Sequence, residues 1–220
     1  MPDRRPIAAR NLPVFIAFAR ALAKAGVSAN AISVFGMLCG IGAGACFALT
    51  DCAATSRWDT LLFLLGAALI QLRLLCNMLD GMVAIESGKA SPVGELYNEV
   101  PDRISDLATL IGLGYAAGSS VELGYLAGAL AVLVAYVRAA ARVAGAPQDY
   151  RGPMAKQQRM FLVTCAAVYA ALAPAAWQAP VFLRGWTFTQ AVLALICLGC
   201  VWTIGRRLTR AAGMLRAATS

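Results

Sequence analysis

The sequence predicts an all-α integral membrane protein, with six transmembrane helices and an N-terminal interfacial amphipathic helix, and three observations carry that expectation. Hydrophobic residues make up 60% of the 220 and charged residues 14%, with a mean hydropathy of +0.69. That leaves too little polar surface to cover a soluble globule of this size. Six apolar runs follow one another along the chain, and the basic residues between them crowd onto one side.

The first element is expected over residues 11–25. Leu12, Phe15, Ile16, Ala19, Leu22 and Ala23 recur at helical spacing. Arg20 and Lys24 interrupt the stretch too soon for a signal-peptide core, so it reads as a helix along the membrane interface. The spans follow at 30–49, 60–84, 94–117, 123–142, 160–177 and 188–204. Each is near the roughly 20 residues a crossing needs, although the second and third cross only if their polar ends face protein. Gly36, Gly40 and Gly44 form small-xxx-small pairs that allow close helix approach. The chain is read as one domain, 1–220: interfacial helix, bundle over 30–207, and cytoplasmic tail over 208–220.

Arg4, Arg5, Arg10, Arg20, Lys24, Lys89, Arg138, Arg142, Arg151, Lys156, Arg159, Arg206, Arg207, Arg210 and Arg216 fall on one side of this scheme, against Arg57 and Arg184 on the other. The positive-inside rule makes the first side cytoplasmic, with both termini there, and the expected location is a bacterial cytoplasmic (inner) membrane. The net charge of +8 then reads as topology and attraction to anionic lipid, with no nucleic acid as partner.

Seven cysteines sit mostly inside apolar runs and read as small buried hydrophobes. The chain has no histidine, which removes Ser-His-Asp and Cys-His catalysis and the zinc-protease motifs. Chemistry must use carboxylates, amides, basic groups and metals.

The polar residues concentrate between Asn77 and Asp106. Asn77, Asp80 and Ala84 share one face of the second span, with the bare Gly81 beside Asp80. Gly94, Asn98, Asp102 and Asp106 recur every fourth residue on the third. Two helices thus offer hard oxygen donors to one cavity, a set that suits Mg²⁺ or Mn²⁺ and, through them, phosphate. The same acids could instead pair with Arg73, Arg103 or Arg138 to hold the bundle together, and spacing alone does not choose.

These residues resemble the signature of the CDP-alcohol phosphotransferase (CDP-alcohol phosphatidyltransferase) family, D-x2-D-G-x2-A-R-x8-G-x3-D-x3-D. Asp80, Gly81, Ala84, Gly94 and Asp102 fill five of its eight positions in register, while Asn77 and Asn98 replace the first and third aspartates and Ile85 replaces the arginine. The resemblance implies a phospholipid-synthesis transferase. A CDP-linked donor, usually CDP-diacylglycerol, would pass its phosphatidyl group to a small polar alcohol with release of CMP.

By the same resemblance Asn77, Asp80, Asn98 and Asp102 hold metal, Asp102 is also the general base, and Gly81, Ala84 and Gly94 face the donor. Lys89 is the candidate replacement for the missing arginine. The two asparagines remove two negative charges, so metal affinity drops or one of two ions is lost unless Glu99 or Asp106 compensates. Arg138 and Arg142 extend a helix toward the cavity and could hold a phosphorylated acceptor; topology alone would account for them equally well. A homodimer is expected from the family. The alternative to an active enzyme is a catalytically weakened relative that binds nucleotide or lipid.

Overall fold

The computed structural model describes residues 12–52, 56–88, 92–147, 149–174, 177 and 185–219. Its helices are α1 (Pro13–Lys24), α2 (Ala29–Leu49), α3 (Ser56–Glu86), α4 (Pro92–Gly114), α5 (Val121–Val143), α6 (Lys156–Leu172) and α7 (Phe188–Thr219), with a 3-10 turn at Thr50–Cys52. Local chemistry sets several of these ends. Pro13 pre-forms the first turn of α1, and the hydroxyls of Ser28 and Ser120 accept from the backbone N–H of Ala31 and Leu123 to cap α2 and α5. Gly88 closes the end of α3 with a positive φ of 65°.

A helix stands over each of the six apolar runs. Four of them, α2, α3, α5 and α7, are long and apolar enough to cross a membrane. α4 interrupts its apolar character with Asp102, Arg103 and Asp106, and α6 has 17 residues, ending at Leu172 rather than at the expected 177. Exposed Phe35, Leu38, Leu61, Leu65, Leu195, Leu198 and Trp202 suit a lipid solvent, and the protein is an integral membrane protein. α7 continues unbroken to Thr219, so the residues expected as a tail from 208 are helical.

α1 forms where a helix was expected and turns its apolar side toward the bundle. Phe15, Ile16, Ala19, Leu22 and Ala23 pack onto Ile32, Leu79, Met82 and Val83. The stripe that the sequence shows is therefore buried against the N-terminal end of α2 and the C-terminal half of α3. Arg20 adds an exposed ion pair to Glu86 at 3.3 Å.

α2 lies against both α3 and α4, α5 packs on α4 and α7, and α6 bridges α3 and α7. The main core between them gathers Phe47, Ile70, Leu110, Met160, Leu193 and Ile196, all fully buried. Glycines set the spacing of α2. A methyl group on Gly36 would lie 2.9 Å from Cys76 Cβ, one on Gly40 would collide with Ser105, and one on Gly44 with the Ala108 carbonyl. The backbones of α3 and α4 are thereby held at contact distance from α2. Gly40→Ala forces α4 away and should cost about 1–3 kcal/mol, read as a lower midpoint of thermal unfolding in detergent; an unchanged midpoint would contradict this packing.

Candidate active site

α3 and α4 present their polar residues to each other at helical spacing. Arg73, Asn77 and Asp80 fall at i, i+4 and i+7 on α3, and Asn98, Asp102 and Asp106 at i, i+4 and i+8 on α4. Between them and α2 lies a small pocket lined by Ser33, Gly36, Arg73, Asn77, Asp80 and Asp102 among others. The two signature carboxylates share this one hollow.

Asp80 is 4% exposed. Ser33 Oγ donates to its Oδ2 at 2.7 Å and the Gly81 N–H to its Oδ1 at 2.5 Å, and among the described residues no cation pairs with it. Asp102 is the opposite case. Arg73 Nη2 donates to its Oδ1 at 2.7 Å, Asn77 Nδ2 to the same atom at 2.9 Å, and Lys156 Nζ lies 2.6 Å from its Oδ2. Arg103 adds a longer pair at 3.5 Å. Asn77 Nδ2 also donates to Asn98 Oδ1 at 2.9 Å, so the two substituted positions are tied together.

One turn beyond Asp102, Asp106 leaves the pocket for the interior. It is 1% exposed and pairs with Arg159, equally buried, at 2.9 Å, and with Arg73 at 3.6 Å. Arg159 Nη1 also donates to the Met154 carbonyl at 2.8 Å. Glu99 goes the other way, to the rim, paired with Arg138 and with Arg103. Arg138 lies over the Tyr150 ring, 5.2 Å from its centroid. Of the other expected residues, Ala84 and Gly94 are half-buried, Arg142 is on an exposed end of α5, and Lys89 lies outside the described residues.

Sequence reasoning undervalued Lys156 and Arg159, whose charges read as markers of topology. The structure puts both against α4 carboxylates, because the segment before α6 is fastened to α7. Thr203 Oγ1 accepts from the Met154 N–H at 3.1 Å, the Thr203 methyl presses on Gly152, and Arg207 donates to the Arg151 and Val134 carbonyls. Nothing in the local sequence announces that connection. Arg73 was legible only as a pairing partner, one turn before Asn77, and Ser33 carried no signal at all.

A bundle of apolar helices enclosing paired aspartates and amides at one end defines a membrane-embedded site for phosphate chemistry. The chain belongs to the CDP-alcohol phosphatidyltransferase family, a family of membrane transferases of phospholipid synthesis, whose sequence profile matches residues 26–205. It is 29% identical over 102 residues to the inner membrane protein YnbA of Escherichia coli, a match covering 46% of this chain and 51% of that protein. It is 25% identical over 158 residues to the archaetidylinositol phosphate synthase of Methanothermobacter thermautotrophicus, covering 72% and 75%.

Among solved structures, the phosphatidylinositol phosphate synthase of Mycobacterium tuberculosis with CDP-DAG bound superimposes with a TM-score of 0.69 at 20% identity, covering 91% of this chain and 94% of that one. The same enzyme with manganese and citrate gives 0.69 at 21% identity, covering 90% and 88%. These likenesses establish a shared fold. The chain spans about half the length of the Escherichia coli relative.

Breaking a buried pair leaves a bare charge, a larger loss than the pair itself contributes. Arg159→Met should therefore destabilise the protein by about 3–5 kcal/mol, and Arg159→Met with Asp106→Asn by less than the single change. Thermal unfolding of the two variants and the wild type in detergent checks the order; a double variant less stable than Arg159→Met would contradict it.

Proposed function

We propose that this protein transfers a phosphatidyl group from a CDP-linked lipid donor, CDP-diacylglycerol by preference, to a small polar alcohol, releasing CMP. The observation that carries the reading is the single pocket shared by Asp80 and Asp102, in signature register, between α3 and α4. Relatives named for inositol phosphate lipids support a phosphorylated polyol as the acceptor. The pocket end of the bundle is placed at the cytoplasmic face, with both termini, and a homodimer is carried over from the family reading.

The donor set suits one divalent ion, Mg²⁺ or Mn²⁺. Asp80 is a buried carboxylate without a cationic partner among the described residues, and Asn77 and Asp102 line the same hollow. When bound, the ion would neutralise the diphosphate and improve CMP as a leaving group. Ser33 and the Gly81 N–H fix the Asp80 carboxylate, and the bare surface of Gly81, Ala84 and Gly94 leaves room for the nucleotide. Lys89 is retained as a donor-side cation in place of the missing arginine.

Asp102 orients the acceptor hydroxyl and takes its proton as the oxygen attacks the phosphorus next to the lipid and the bond to CMP breaks. Its bonds to Arg73 and Asn77 fix the carboxylate, which helps alignment. Arg138 is engaged by Glu99, so a phosphorylated acceptor would have to compete for it, and Arg142 is kept as a second candidate for that acceptor. Asp106, held by Arg159, is assigned to support rather than to a ligand.

Incubating the purified protein with Mg²⁺, CDP-diacylglycerol and a panel of alcohols, followed by mass spectrometry, should show CMP and one new phospholipid. Asp102→Asn should lower turnover by about 10²–10⁴. Full turnover in that variant would remove Asp102 from the chemistry. Asn77 and Asn98 favour a second reading, a weakened relative that binds without turnover; CDP binding with no CMP released from any acceptor would establish it. Asn77→Asp with Asn98→Asp should tighten Mg²⁺ binding, measured by calorimetry; unchanged or weaker binding would count against their place at the metal.

A further inference from the structure

The two asparagines take two carboxylates that could anchor a divalent ion out of the signature, and the structure places cations of its own beside the site. Arg73 lines the pocket, 2% exposed; its Nε donates to Ser105 Oγ at 2.6 Å and its Nη2 to Asp102. Its Nη1 makes no bond among the described residues. Lys156 brings a buried Nζ within 2.6 Å of the far oxygen of the same carboxylate, an ion pair without hydrogen-bond geometry that leaves its N–H groups unspent among the described residues. With the longer pair to Arg103, three cations compensate Asp102 before any metal arrives. Asp80 is the pocket carboxylate left without a cation, and a second divalent ion would add charge with no free anion to balance it.

We propose that Arg73 and Lys156 are built-in cations standing in for one of two divalent ions. The site takes a single ion, at Asp80, and the spare N–H groups of Arg73 and Lys156 hold the diphosphate of the nucleotide donor directly. Charge-assisted bonds from a guanidinium fork and an ammonium are short and strong, and Arg73 is already set in place by Ser105 and Asp102. The inference rests on the CDP-linked donor proposed above and adds Arg73 and Lys156 to the residues that bind it.

Two measurements on the purified full chain in detergent test it. Titration with Mn²⁺ followed by electron paramagnetic resonance should give one bound ion per chain; two would overturn the proposal. Calorimetry with CDP in EDTA should show wild-type binding within about tenfold of that in Mg²⁺, and Lys156→Gln should weaken the EDTA value by more than about tenfold, with Lys156→Arg restoring part of it. Wild-type binding that needs Mg²⁺ would overturn the proposal and leave the CDP-linked donor standing, and so would a Lys156→Gln that binds in EDTA as tightly as wild type. Binding in neither condition would sink the CDP-linked donor itself, and this inference with it. The wild-type arms need no variant to fold.

Discussion

The contact on which the rest depends is the grip of Arg73 on α4. One guanidinium from α3 reaches Ser105, Asp102 and Asp106, and through the two aspartates it is linked to Lys156 and Arg159 on α6. Three helices are cross-linked by charge in an interior that cannot solvate it. Asp80, Asp102 and Asp106 face Arg73, Lys156 and Arg159, so the buried charges nearly cancel within the protein. Each pair costs desolvation, and its worth lies in fixing which faces of α3, α4 and α6 meet. Two of those helices, α3 and α4, wall the pocket together with α2.

That arrangement is possible because α2 comes so close. With Gly36 opposite Cys76 and Gly40 opposite Ser105, the backbone of α2 forms the pocket wall and delivers Ser33 to Asp80. A larger residue at either position would separate the helices and open the charged layer to water or lipid. Glycine stripes are common in membrane helices of any function, and this one seals the polar layer that the aspartates require.

The helices were legible because apolar runs and their breaks are local: each of the six runs lies under a helix, and the Asn77–Asp106 register foretold the meeting of α3 and α4. The stripe of α1 was legible as a face to be buried, while its partners on α2 and α3 were not, because periodicity says nothing about what buries a stripe. The carboxylates of the site were legible from spacing within two helices. Their partners were not, since Lys156 lies 54 positions beyond Asp102 and is carried there by a loop whose path depends on α7. The i+4 step of Asp106 allowed either a place in the site or a pair with Arg103; each step of four turns slightly past a full revolution, and Asp106 meets Arg159.

The fastening of that loop gives α7 a remote influence. Thr203 and Arg207 touch neither aspartate, but they fix the backbone from Arg151 to Met154 and so decide where α6 begins. α7 thereby sets the height at which the Lys156 ammonium meets Asp102. Under the proposed transfer, replacing the Thr203 methyl or Arg207 would shift that ammonium against Asp102 while leaving every signature residue in place.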